Sequence, residues 1–164
     1  MNLIYDRTAE DVERALALAK KAEAGTLTDT EKTEWLAGMK GCYNATDMNR
    51  VSTAVQTLAA ELNAAGYPVE TIPQSFAETD TVRLSQWRQY LANVQALRDA
   101  YYTLAETGQL PGAEDKLDYI GANTIEKVLA DIDLLIGWMK SSYRRCGTFK
   151  AGNNAAHLPL KGSA

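Results

Sequence analysis

Thr46-Asp47-Met48-Asn49-Arg50-Val51-Ser52-Thr53-Ala54-Val55-Gln56-Thr57-Leu58-Ala59-Ala60-Glu61-Leu62-Asn63-Ala64-Ala65 is the stretch on which the fold turns. Its apolar residues Met48, Val51, Val55, Leu58, Leu62 and Ala65 are spaced 3, 4, 3, 4, 3. That spacing gathers them into one narrow seam on a helix, and a seam of this kind has to be buried against another helix. Gly66 closes the run, and Pro68 is a second stop.

A partner seam lies downstream. A helix expected to start near Asn123 or Thr124 and to fray near Tyr143 carries Ile125, Val128, Ile132, Leu135, Ile136 and Met139. At a constant offset of 77, Met48 matches Ile125, Arg50 matches Lys127, Val51 matches Val128, Val55 matches Ile132, Leu58 matches Leu135 and Leu62 matches Met139. Shared heptad spacing and an internal duplication both account for such a match. Either way the two helices present matching stripes, and six buried aliphatic positions at about 1.5 to 3 kcal/mol each offset much of the ordering entropy.

Between them a fourth helix is expected from about Thr81 to Thr107, carrying Leu84, Trp87, Leu91, Val94, Leu97, Tyr101 and Leu104, with Gly108 and Pro111 to end it. The preceding segment holds Pro68, Pro73 and several Thr and Ser residues and reads as a loop with little regular structure. Near the start, Thr8-Ala9-Glu10-Asp11 opens a helix: the Thr8 hydroxyl can accept a free amide, and the carboxylates suit the positive end of the dipole. Val12, Ala15, Leu16 and Ala19 follow at helical spacing until Gly25. Thr28-Asp29-Thr30-Glu31 is a capping box for a short helix through Trp35 and Leu36, ended by Gly38 and Gly41. The expected fold is therefore all-α: a bundle of about five helices, three long and two shorter, antiparallel where loops are short. Residues 1–143 form the bundle domain, and residues 144–164 are a non-helical, extended basic strap, because Gly147, Gly152, Asn153, Asn154 and Pro159 disfavour helix.

Composition narrows the function. The chain has 164 residues, 46% hydrophobic and 23% charged, which suits one globular domain. Its longest apolar stretch, near Ile132 to Met139, is far short of the roughly 20 residues of a membrane span. Met1-Asn2-Leu3-Ile4-Tyr5-Asp6 lacks the basic and apolar regions of a secretory signal, so synthesis and retention in a cytoplasm are expected. Cys42 and Cys146 stand in no metal-ligand spacing and read as reduced thiols, a long-range disulfide being the alternative.

The formal charge of −4 argues against a general nucleic-acid binder. It is unevenly spread: residues 1–139 hold 12 basic and 21 acidic residues, a balance of −9, whereas Lys140, Arg144, Arg145, Lys150 and Lys161 have no acidic companion. That basic end is either a solvated tail or a surface that docks on an acidic neighbour.

Catalytic patterns are sparse. His157 is the single histidine, no G-x-S-x-G elbow accompanies it, and neither phosphate-cradling glycine motif occurs. Glu114, Asp115 and Asp118 cluster after Pro111, where carboxylates could act as an acid and base pair on a sugar, but solvation and helix N-terminal charge account for them more simply. No enzyme activity, cofactor or metal is expected. Trp35, Trp87 and Trp138, with eight tyrosines, could instead stack on a glycan or anchor a protein partner. Trp87 lies on its helix's seam and reads as core, whereas Trp138 sits beside the Val128, Ile132, Leu135, Met139 stripe and Tyr102 cannot face the same way as Tyr101. With Arg144, Arg145, Phe149 and Lys150 of the strap, Trp138 and Tyr102 are the residues expected to meet partners.

Several stretches carry a resemblance: Leu3-Ile4-Tyr5-Asp6-Arg7-Thr8 with Asp11-Val12, then Glu34-Trp35-Leu36-Ala37-Gly38-Met39-Lys40-Gly41 running into Tyr43-Asn44-Ala45-Thr46-Asp47-Met48-Asn49-Arg50-Val51, and Leu62-Asn63-Ala64-Ala65-Gly66-Tyr67. Together with Asn123-Thr124-Ile125-Glu126-Lys127-Val128 and Cys146-Gly147-Thr148-Phe149-Lys150-Ala151-Gly152, they resemble an uncharacterised module of tail-associated structural proteins in phages and prophages of Gram-positive gut bacteria. The resemblance implies a virion part near a baseplate or fibre, made in the bacterial cytoplasm, that binds other phage tail proteins. It supplies no catalytic residues. Heptad seams also permit a homo-oligomer such as a trimer, and a receptor- or glycan-binding module for host recognition is the alternative reading.

Overall fold

A computed structural model describes the backbone of residues 1–146 and the side chains of residues 1–142. The strap residues 147–164, with Phe149, Lys150 and His157, lie outside the described residues, as do the side chains of Arg144, Arg145 and Cys146. Five helices follow in order: α1 (Ala9–Glu23), α2 (Asp29–Leu36), α3 (Ala45–Ala64), α4 (Leu84–Ala100) and α5 (Tyr119–Cys146). No strand occurs among the described residues, and no helix there is long and apolar enough to cross a membrane.

Local capping starts the first three helices. Thr8, Thr28 and Asn44 each accept a first-turn amide, and Asp11, Glu31 and Asp47 return the bond to the cap's own amide. Two expectations shift at the longer helices. α4 covers Leu84–Ala100 rather than Thr81 to Thr107, because Tyr101 takes an extended backbone and turns its ring edge-on to Tyr67, with centroids 4.8 Å apart. The tertiary contact outweighs the helical spacing of Tyr101 and Leu104, and Leu84, expected on the seam, is 45% exposed. α5 begins four residues earlier than Asn123, where the Gly121 amide donates to Asp118 Oδ1 at 2.7 Å, and it runs on through Cys146, so residues 144–146 belong to the helix. In α1 the buried face is Ala15 and Leu18, whereas Leu16 points to water.

The core is the meeting of α3, α4 and α5. Val51, Leu58, Leu62, Val94, Leu97, Ile125, Val128, Leu129 and Ile132 are fully buried there, so the heptad seams are used within one chain. Any trimer would have to form on another surface. Leu135 and Met139 are half-buried, and Leu129, which the offset did not point to, takes a central place.

The three helices run parallel. Arg50 meets Glu126 near the starts of α3 and α5, and Glu61 meets Lys140 near their ends at 3.1 Å. The Tyr43 and Tyr90 hydroxyls touch at 2.6 Å near the starts of α3 and α4, and the Tyr67 and Tyr101 rings meet beyond their ends. Parallel neighbours require long returns, and residues 65–83 and 101–118 provide them. The matched offset of 77 thus sets partners at the same height on two neighbouring helices.

Three non-helical segments run back along the three grooves. Residues 67–83 lie between α3 and α4, pinned by asparagine amides: Asn63 to Val69, Asn93 to Ile72 and Asn49 to Phe76. In each pair the carboxamide accepts from the N–H and donates to the C=O of one residue, as a neighbouring strand would. Residues 101–118 lie between α4 and α5, where Thr107 donates to Asp131 at 2.6 Å, Arg98 donates to the Gly108 carbonyl at 2.7 Å and Arg88 pairs with Glu114. Residues 1–8 lie between α5 and α3, with the Met1 ammonium 3.9 Å from Asp133, the Ile4 amide on Glu126 and a fourth asparagine, Asn123, holding Arg7.

α1 and α2 form an arm inserted between the first segment and α3. They are joined to each other by Arg14 with Glu34 at 2.7 Å and Lys21 with Glu31 at 2.5 Å. Gly41 brings the chain back past α1: a Cβ there would lie 2.0 Å from the Asp11 carbonyl oxygen, so the passage is open to glycine alone.

Candidate functional site

At the end of the molecule where α3, α4 and α5 begin, four charged side chains converge in the interior. Arg7, from the first segment, donates through Nη2 to Asp47 at 3.1 Å and to Glu126 at 2.8 Å. Arg50, one turn beyond Asp47, reaches the same two carboxylates at 2.5 and 2.7 Å, and its Nε meets Glu126 at 3.1 Å. Glu126 is 0% exposed and also accepts the Ile4 amide at 2.7 Å. Two positive and two negative groups balance, and Arg50 grips Glu126 bidentately, so the buried charges compensate one another.

The surroundings of this cluster are equally closed. Arg7 Nε and Nη1 donate to the Lys40 and Ile4 carbonyls, and its guanidinium sits 5.2 Å from the centre of the Tyr43 ring. Burial raises the Tyr43 and Tyr90 hydroxyls above the usual tyrosine range, so both stay protonated. Burial alone would lower Arg50, but its bonds to Glu126 and Asp47 more than offset this and hold it cationic.

Above the cluster opens a cleft of about 660 Å³, within the span of ordinary ligand sites. The end of α2 and its exit supply Trp35, Leu36, Gly38, Met39 and Lys40; the first segment supplies Ile4 and Asp6; α3 supplies Asn44, Thr46, Asp47 and Arg50; and Glu78 comes from the α3 to α4 return. α2 buries none of its side chains fully, and Leu36 is 84% exposed beside the half-buried Trp35. On the rim of the same cleft, Lys40 lies 2.9 Å from Asp6 and 3.7 Å from Asp11, and the bond to Asp6 raises its pKa. An apolar shelf with a charged rim is the arrangement of a contact surface, where a partner side chain finds burial in the middle and orientation at the edge.

The residues singled out from sequence are not gathered here. Trp138 is 54% exposed in the last turns of α5, and Tyr102 is 76% exposed just past the end of α4. Glu114, Asp115 and Asp118 are apart from both, near the start of α4: Glu114 pairs with Arg88, while Asp115 and Asp118 accept the Gly112 and Gly121 amides. The structure therefore places the carboxylates at the other end of the bundle from the tryptophan and the tyrosine with which a sugar site would have combined them. Trp87 is half-buried and stacked on Tyr90, with centroids 5.2 Å apart. Cys42 is a free, half-buried thiol whose pKa burial raises. Among the described residues no three His, Cys, Asp or Glu side chains converge on a metal position.

Sequence reading missed Arg7, Asp47, Arg50 and Glu126 as a unit. Arg7 is 119 residues from Glu126, so no local spacing marks the cluster. Leu36 carried a local signal, since an apolar residue ending a helix of only eight residues has little core to reach. In comparisons with known proteins, no family model, curated protein or solved structure matches the chain.

Proposed function

We propose that this chain is a structural protein of a phage tail, at a baseplate or fibre, which works by protein–protein contact and not by catalysis, and that its cleft receives a neighbouring virion protein. The observation carrying the contact reading is Leu36, 84% exposed beside Trp35 on the wall of an open cleft. Exposed aliphatic and aromatic groups at a concave, charge-rimmed site favour a protein partner, because desolvating them gives the affinity while the rim sets orientation. The sequence resemblance to phage tail modules names the class of partner.

Substituting Leu36→Glu tests this directly, since a side chain so exposed carries little of the fold. Wild-type protein should capture a tail component from virions, and the variant should lose at least about tenfold in affinity, the cost of setting a charge against an apolar partner surface. A wild-type chain that stays a solitary monomer by light scattering and captures no tail component would defeat the proposal.

A receptor- or glycan-binding role is the second reading, favoured by Trp35 standing in the cleft with Asp6, Asn44 and Glu78. An indole face with polar neighbours suits a sugar ring. Titration with host cell-wall glycans should then change the tryptophan emission of the wild type and leave Trp35→Phe unresponsive; a flat wild-type response removes this reading.

A further inference from the structure

The charges around the cleft do not cancel. Of the side chains lining it, Asp47 and Arg50 belong to the buried cluster, where Arg7 and Glu126 complete a neutral set of four. Lys40 is the other cation of the lining, and it is already engaged by Asp6 at 2.9 Å and Asp11 at 3.7 Å. Glu78 is exposed and has no ion pair or hydrogen bond among the described residues. Three carboxylates thus stand against one ammonium, a surplus of two negative charges among the lining residues and their ion-pair partners.

The end of α2 adds to that field. Its last carbonyls are the negative end of the helix dipole, and they reach the cleft with Trp35, Leu36 and Gly38. α1 matches its own end with Lys20 and Lys21, and α4 does so with Arg98, but the last turn of α2 holds no basic residue. The apolar shelf of Trp35, Leu36 and Met39 therefore lies in a negative potential.

We infer that the partner segment received by this cleft is basic: an aliphatic or aromatic side chain seats on Trp35, Leu36 and Met39, and a lysine or arginine beside it meets Glu78 and Asp6. The inference rests on the contact reading given above and adds the chemistry of the partner. An acidic segment would meet carboxylates with no spare cation to receive it. A purely apolar segment would strip water from Glu78 and Asp6 and return no bond. A basic residue satisfies both carboxylates, and its attraction to the cleft speeds the encounter at low salt.

Three fluorescently labelled peptides of equal length provide the test, titrated against the full-length chain and read by anisotropy: alternating Lys and Leu, alternating Glu and Leu, and alternating Lys and Ser. The Lys/Leu peptide should bind at least about tenfold more tightly than either of the others. Glu78→Lys and Leu36→Ser, both at exposed positions, should each weaken it about tenfold. Glu70→Lys makes the same change of charge at an exposed site by the far end of α3 and should alter binding less than about twofold. Raising salt to about 0.5 M should shrink the effect of Glu78→Lys and leave that of Leu36→Ser. Equal binding of the Lys/Leu and Glu/Leu peptides overturns the inference. Equal losses in Glu78→Lys and Glu70→Lys overturn it too, because the attraction would then be to net charge alone. Capture of a tail component by a chain without this peptide preference sinks the basic partner and keeps the contact reading, whereas the preference without any captured tail component upholds the inference and sinks the tail assignment alone.

Discussion

The trio α3, α4 and α5 and the arm α1 and α2 begin with equally good local signals and are held in opposite ways. The trio fully buries the aliphatic side chains of one core and holds the three segments in its grooves through asparagine carboxamides, the Thr107 to Asp131 bond and a charge cluster. The arm has only Ala15 and Leu18 buried and relies on exposed ion pairs such as Arg14 with Glu34. Surface ion pairs contribute little because water screens both charges. The difference teaches where rigidity resides: the floor of the cleft belongs to the trio, and the Trp35 and Leu36 wall belongs to the arm, so one wall is fixed and the other can adjust to a partner.

The sharpest way to break this contrast is at the cluster. Glu126→Ala would leave Arg7 and Arg50 short of their shared carboxylate, and a cost of about 3 to 5 kcal/mol in urea unfolding is expected. A loss below about 1 kcal/mol would mean that water replaces the carboxylate and that the trio is not closed there. Next comes the tether between the two regions. Gly41→Ala forces a Cβ into the Asp11 carbonyl, and about 1 to 3 kcal/mol of strain should appear as faster amide exchange over residues 9–36 with residues 45–64 unchanged.

A return segment gives the third effect. Asn93→Ala removes both bonds to Ile72 and should cost about 1 to 3 kcal/mol, read as a lower urea midpoint with freed amides around residue 72. The smallest effect is on the arm. Lys21 first, then the Thr28 amide, lowers Glu31 from 4.5 to about 2. A lowered carboxylate stabilises the fold above its unfolded value and loses that contribution as pH falls through the folded one. Amide exchange in α1 and α2 should therefore quicken between pH 4.5 and about 2, and Glu31→Gln should flatten that dependence. If the trio's amides respond equally, the arm is not separately held.

Legibility from sequence followed the range of the interactions. Thr8, Thr28 and the seam Met48 to Leu62 act on residues three or four positions away, and each was readable. Leu18 was passed over for Leu16 because the stripe of α1 is short and either residue extends it. Tyr101 and Leu104 continued the spacing of α4, yet Tyr67 draws Tyr101 into an extended conformation. In the cleft Trp35 was named only with the other tryptophans as a residue that could stack or anchor, and nothing local joins it to Asp6, Arg50 and Glu78.

By itself the sequence determined that this is an all-α chain, where α1, α2 and α3 start and which stripes on α3 and α5 need cover, because caps and helical periodicity depend on neighbours within one or two turns. Only the tertiary structure decided that the three helices run parallel, that asparagines clamp the return from α3 to α4 and that Arg7, Asp47, Arg50 and Glu126 share one buried site. Apart from the Asn63 to Val69 and Arg50 to Asp47 bonds, the contacts that build them join residues 21 to 122 positions apart, and their stability comes from burial and compensated charge once the chain has folded, which no local pattern encodes.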